Sequence, residues 1–100
     1  MIVRFLDFAR FQLAEAIEYI AFDSPAAARE LEARIDRALR RLEQFPESGR
    51  HIPEFPDRVD DREVSITPYR LFYRIDGQTI WITALWHGAQ HVPEAETAQD

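Results

Sequence analysis

The stretch from Arg62 to His87 constrains the fold more than any other. Two runs rich in β-branched and aromatic residues, Arg70–Ile75 and Gln78–Trp86, flank Asp76-Gly77. Asp-Gly between alternating apolar residues predicts a β-hairpin with a type I′ turn, because that turn needs φ > 0 at both central positions. A further strand is expected just upstream, over 63–66. Along the first strand of the hairpin, Tyr69, Leu71, Tyr73 and Ile75 share one face, and Arg70, Phe72 and Arg74 share the other. The same alternation puts Trp81 and Trp86 on opposite faces. A hairpin also brings the start of one strand near the end of the next, so Arg70 and His87 are expected as neighbours.

Upstream of the hairpin the apolar period changes from 2 to 3.6. Ile2–Leu6 reads as a short strand, and Asp7 as the N-cap of a helix over about 8–21. That helix has Leu13, Ala16, Ile17, Ile20 and Ala21 on one face, extended by Phe8 and Phe11. Ser24-Pro25 predicts a second helix start: Ser caps, and Pro fits the first helical position because its missing N–H has no partner there. Ala28, Leu31, Ile35, Ala38, Leu42 and Phe45 then recur at spacings of 3 and 4, a seam for packing, until Pro46 ends the helix. With only Phe22-Asp23 between them, the two helices are expected as an αα-hairpin. Residues 46–61 hold three Pro and one Gly and read as a loop with a short turn around Glu54.

The order β-α-α-β-β-β implies an α+β fold, a small antiparallel sheet with an αα-hairpin packed on one face and the other face open. We expect one domain over residues 1–90 and an acidic, flexible tail over 91–100. The chain has no cysteine and no apolar run near the roughly 18 residues of a membrane span, so neither a disulfide scaffold nor a membrane protein is expected. Arg4, Asp7 and Arg10 interrupt the start, where a signal peptide needs an apolar run. A net charge of −6 argues against broad nucleic-acid binding. All twelve basic residues are Arg, and ten of them fall in residues 29–74 beside ten acids.

Few chemistries fit these residues. His87 and His91 have a metal-ligand spacing, but His87 ends a strand and is followed by Gly88, so no metal site and no cofactor are expected. No serine has a nucleophile-elbow context, and the three glycines are too dispersed for a phosphate loop. What remains is acid–base chemistry on an RNA 2′-hydroxyl. A carboxylate (Glu54 or Glu63) or an imidazole would activate it, an Arg (Arg70 or Arg74) would hold the phosphate, and His87 would protonate the leaving oxygen. The plainer reading of the same residues is solvated strand arginines, a paired Glu63 and a hydrogen-bonded strand-terminal His.

An ordered set of short motifs resembles a known family. It comprises Ala14-Glu15-Ala16-Ile17-Glu18-Tyr19-Ile20, Ser24-Pro25-x-x-Ala28, Leu42-x-x-Phe45-Pro46-x-x-Gly49-Arg50, Arg62-Glu63, Pro68-Tyr69-Arg70-Leu71-Phe72-Tyr73-Arg74-Ile75 and Trp86-His87-Gly88. Together, over about residues 2–90, they resemble the ParE/RelE superfamily of type II toxin–antitoxin toxins, and most of all its ParE-type plasmid stabilisation branch. The resemblance implies a cytoplasmic toxin and a cognate antitoxin. RelE-like relatives cleave messenger RNA on the ribosome, which would make His87, Arg70 and Glu54 catalytic. ParE-like relatives lack that set and inhibit DNA gyrase. The absence of Lys and the acidic charge favour the second reading: a non-catalytic gyrase inhibitor without sequence-specific DNA binding. An endoribonuclease is the alternative, and a degenerate module that only binds its antitoxin is a third. The antitoxin segment, disordered when free, is expected to fold over the open sheet face and the helical-hairpin groove, with Arg50, Arg62, Arg70, Arg74 and Trp86 as its contacts.

Overall fold

A computed structural model of the chain describes residues 1–88, Gln90 and Val92. The elements are β1 (Ile2–Phe5), α1 (Asp7–Asp23), α2 (Pro25–Gln44), β2 (Arg50–His51), β3 (Asp61–Ile66), β4 (Tyr69–Asp76) and β5 (Thr79–His87). They form a five-stranded sheet of order β1-β5-β4-β3-β2 with the helical hairpin on one face. This is the expected α+β layout. Two details differ from the expectation: β1 pairs parallel to β5, so the sheet is mixed, and a two-residue β2 pairs with β3 within the Pro-rich segment.

Ser24 carries out the predicted capping, and it does so for both helices. Its backbone N–H donates to the Ile20 carbonyl at 2.9 Å, ending α1, and its Oγ accepts from the Ala27 N–H at 3.1 Å, starting α2. One residue therefore connects the helices. Asp7 is not the cap of α1; Leu6 holds that position without a side-chain bond, and Asp7 lies in the first turn, where a carboxylate suits the helix dipole.

The helix-side core joins Ala9, Leu31, Ile35 and Leu42 to Ile66, Leu71, Tyr73, Ile80, Ile82 and Leu85. Leu42 is fully buried, as the seam requires, whereas Phe45 at its end is 55% exposed, because α2 stops before it could turn inward. Phe11 likewise faces solvent instead of extending the buried face of α1.

The hairpin turn is shifted by one residue. Asp76 pairs with Thr79, leaving Gly77-Gln78 as the loop, and only Gly77 has positive φ (60°), which suits a type II′ turn instead of I′. Further along, Phe72 pairs with Ala84 but Tyr73 with Ile82, so Thr83 is an extra residue in β5. That bulge reverses the alternation beyond it. Trp81 pairs with Arg74 and Trp86 with Arg70, so both indoles share the face of Arg70, Phe72 and Arg74.

That face is not open as expected. After β2 the segment makes three successive i→i+3 turns, beginning with Phe55 N–H to Ile52 O around Glu54. Ile52, Phe55 and Val92 are buried with Phe72, Ala84 and Trp86 in a second small core. Val92 is thus packed; His91 and residues 93–100 of the expected tail lie outside the described residues. Beyond the end of β1, the Leu85 N–H is taken by the Gln12 side chain at 2.7 Å, so α1 lies along the remaining edge of β5.

Candidate functional site

The residues singled out in the sequence separate onto the two faces of the sheet. On the outer face, Glu63 sits on β3 between β2 and β4, with Arg50 and Phe72 as its register partners. It is 3% exposed. A buried carboxylate needs charge-assisted donors, and three converge on it: Arg50 Nε at 2.9 Å, Arg70 Nε at 2.6 Å and Arg70 Nη2 at 3.1 Å. Arg70 also holds Glu54 in a two-point ion pair, at 2.8 and 2.7 Å. The first turn after Ile52 is what brings Glu54 over the sheet. Arg70 accordingly holds the Glu54 carboxyl below the usual carboxylate range, while Glu54 and then Glu63 raise the guanidinium further above its ordinary value. Beneath the guanidinium lies the Phe72 ring, 5.0 Å away.

A second ion pair repeats the pattern one pair along. Asp61, 5% exposed, accepts from Arg74 Nε at 2.6 Å and Nη2 at 3.2 Å, and from Arg58 at 3.3 Å. Arg62, between Asp61 and Glu63, points to the other side of β3. It donates to the carbonyls of Glu47 and Gly49 at 3.2 and 2.8 Å, beside the buried Tyr73. Tyr73 Oη in turn accepts from the Gly49 N–H at 2.9 Å and donates to the Pro46 carbonyl at 2.7 Å, and burial pushes its pKa up. A Cβ at Gly49 would stand 2.6 Å from that hydroxyl oxygen, so this crossing needs glycine.

His87 lies on the helix side. Its register partner is Tyr69, and their rings meet edge-on at 5.5 Å. With Gln12, Glu15, Tyr19 and Gln90 they line a cleft of about 480 Å³ between α1 and the ends of β4 and β5. Burial, then the nearby Tyr19, raises the Tyr69 pKa, so its hydroxyl stays protonated at neutral pH.

The structure therefore brings Arg70 and Glu54 together, with Glu63 and Arg50, and sets His87 on the opposite face. The proposed phosphate clamp and the proposed proton donor do not converge. Of the residues expected to meet an antitoxin, Arg50 is the exposed one, its side chain 69% accessible. Arg70 and Arg74 are tied to carboxylates, Arg62 faces away, and Trp86 is 5% exposed, packed with Phe8 at a ring distance of 5.8 Å. The His-Tyr cleft was missed by sequence reading, since its walls come from α1 and from two strand ends whose register the bulge decides. Among the described residues no group of side chains could hold a metal ion, and no helix is long and apolar enough to cross a membrane.

A family profile described as "ParE toxin of type II toxin-antitoxin system, parDE" matches residues 3–92. A solved structure described as "Chromosomal ParDE TA system from P. aeruginosa" aligns with a TM-score of 0.69 and 18% identity, covering 87% of this chain and 95% of that one. At that identity the likeness concerns the fold. No curated protein sequence is significantly similar.

Proposed function

Because this chain belongs to the ParE toxin family of type II toxin–antitoxin systems, we propose that it is a non-nucleolytic toxin that inhibits DNA gyrase in the cytoplasm and is neutralised by a cognate antitoxin. The supporting observation is the state of Arg70. Four of the five N–H groups of a guanidinium are here engaged by Glu54 and Glu63. A phosphate would have to displace Glu54 and then sit beside the buried Glu63, against like charge. General acid–base cleavage also needs the proton donor within hydrogen-bond reach of the same phosphodiester, and His87 is across the sheet. Binding and blocking a protein target needs no such convergence.

The test uses the purified chain in two assays. With gyrase, relaxed plasmid and ATP, supercoiling is expected to fall in proportion to added toxin, and to recover when the product of the adjoining antitoxin gene is supplied. With translating ribosomes, mapped message should show no cuts that disappear in a His87→Ala variant. Such His87-dependent cuts would replace this reading with the endoribonuclease. Supercoiling unaffected at a large excess of toxin would remove gyrase as the target.

A further inference from the structure

The cleft beside α1 has a composition unlike the rest of the molecule. Its walls carry the rings of Tyr19, Tyr69 and His87, and Glu15 is the one Asp or Glu among the described residues that line it. Among the described residues no Arg or Lys lines it, and none occurs in the sequence of α1 from Phe11 to Asp23 or of β5, although the chain holds twelve Arg. Two carboxamides are fixed at its rim: Gln12 Oε1 accepts from the Leu85 N–H at 2.7 Å and Gln90 Oε1 from the His87 N–H at 2.6 Å. That leaves their NH2 ends as donors, suited to the backbone carbonyls of an incoming peptide. Along the same side of α1, Phe11, Tyr19 and Phe22 are 61%, 77% and 91% exposed. Positions 11, 15, 19 and 22 form one helical stripe, so the exposed rings bracket Glu15. Large aromatic side chains in that state mark an interaction surface more than a solvated face.

We propose that this cleft binds a single arginine side chain of a peptide partner, with apolar neighbours of that arginine seated on Phe11 and Phe22. The guanidinium pairs with Glu15 and lies against the aromatic walls, where π faces and hydroxyl oxygens attract a cation. An acidic peptide or a nucleic-acid backbone meets a carboxylate here and, among the described residues, no Arg or Lys to compensate. The inference goes beyond the toxin reading and stands independently of it. The cleft is on the opposite side of the sheet from the Arg70 network, and a chain inert toward gyrase would still show it.

The test is titration of the full ¹⁵N-labelled chain with two leucine-alanine peptides that differ at one central position, arginine or its neutral isostere citrulline. The arginine peptide should shift the side-chain NH2 signals of Gln12 and Gln90 and the amides of Leu85 and His87, and bind about tenfold more tightly than the citrulline peptide. Glu15→Gln, at an exposed position, should keep the melting temperature and remove most of that difference. Three results overturn the proposal: equal affinity for the two peptides or none for either, shifts that fall outside the cleft, or an eight-nucleotide polyuridine that perturbs these signals more tightly than the arginine peptide.

Discussion

Replacing Arg70 by alanine tests whether this arginine belongs to the architecture or is available to a ligand. Glu63, 3% exposed, would lose its bonds from Arg70 Nε and Nη2 and keep only Arg50 Nε at 2.9 Å. Stripping one partner from a buried ion pair costs about 3–5 kcal/mol. Arg50 remains and Arg70 is itself 18% exposed, so we place the loss at about 2–4 kcal/mol. The other half of the network is weaker. Glu54 is 39% exposed, and pairs of that kind contribute about 0.2–1 kcal/mol, so Glu54→Gln should lie below about 1 kcal/mol. Because the residues share one network, Arg70→Ala combined with Glu63→Ala should cost less than the sum of the two alone. Urea unfolding followed by circular dichroism measures all four variants. Arg70→Ala unfolding within about 0.5 kcal/mol of the parent would refute the reasoning, since Glu63 would then be satisfied without it and Arg70 would be available for a phosphate.

Leu42→Ala should destabilise by about 2–5 kcal/mol, since Leu42 is fully buried between α2 and the sheet; a thermal or urea midpoint unchanged by the substitution would exclude that packing. Tyr73→Phe removes one acceptor for Gly49 and one donor for Pro46 and should cost about 1–3 kcal/mol, with faster hydrogen exchange at the Gly49 amide as its local signature. The Glu54 carboxyl is depressed below its ordinary 4.5 by Arg70. Its contribution to stability is therefore complete above that value and lost as pH falls through the folded one. Melting temperature should drop in acid less steeply for Glu54→Gln than for the parent, and identical slopes would mean that the pair adds nothing.

What could be read from the sequence was what local chemistry decides. Ser24-Pro25 announces a helix start whatever surrounds it, and the period of α2 names its buried residues down to Leu42. The four longer strands and their succession along the chain were legible for the same reason. Register was not. A turn centred on Asp76-Gly77 would set Arg70 opposite Thr83; the shift to Gly77-Gln78 moves the pairing by two positions, and the extra residue Thr83 moves it by one more, to Trp86. Each step is small in energy and invisible to alternation. The two-position shift preserves the faces, and the extra residue alone decides that Arg70 and His87 face opposite ways. The partners of Glu63 were hidden differently. Arg50 reaches it only because β2 forms, and a two-residue strand in a Pro-rich segment has no period to detect. Arg62, by contrast, could have been separated from Arg70 and Arg74 by noting that it is one position from Glu63.

Ser24 has a consequence for motion. A connector of several residues lets two helices fray and reorient separately. Here a single residue closes the last turn of α1 with its N–H and opens the first turn of α2 with its Oγ, so the joint has no slack. The hairpin should open as one body in hydrogen exchange, α1 and α2 losing protection together. A glycine inserted after Ser24 would separate them. Anything that seats against the outer side of α1 then also holds α2, and through Leu31, Ile35 and Leu42 it tightens the helix-side core.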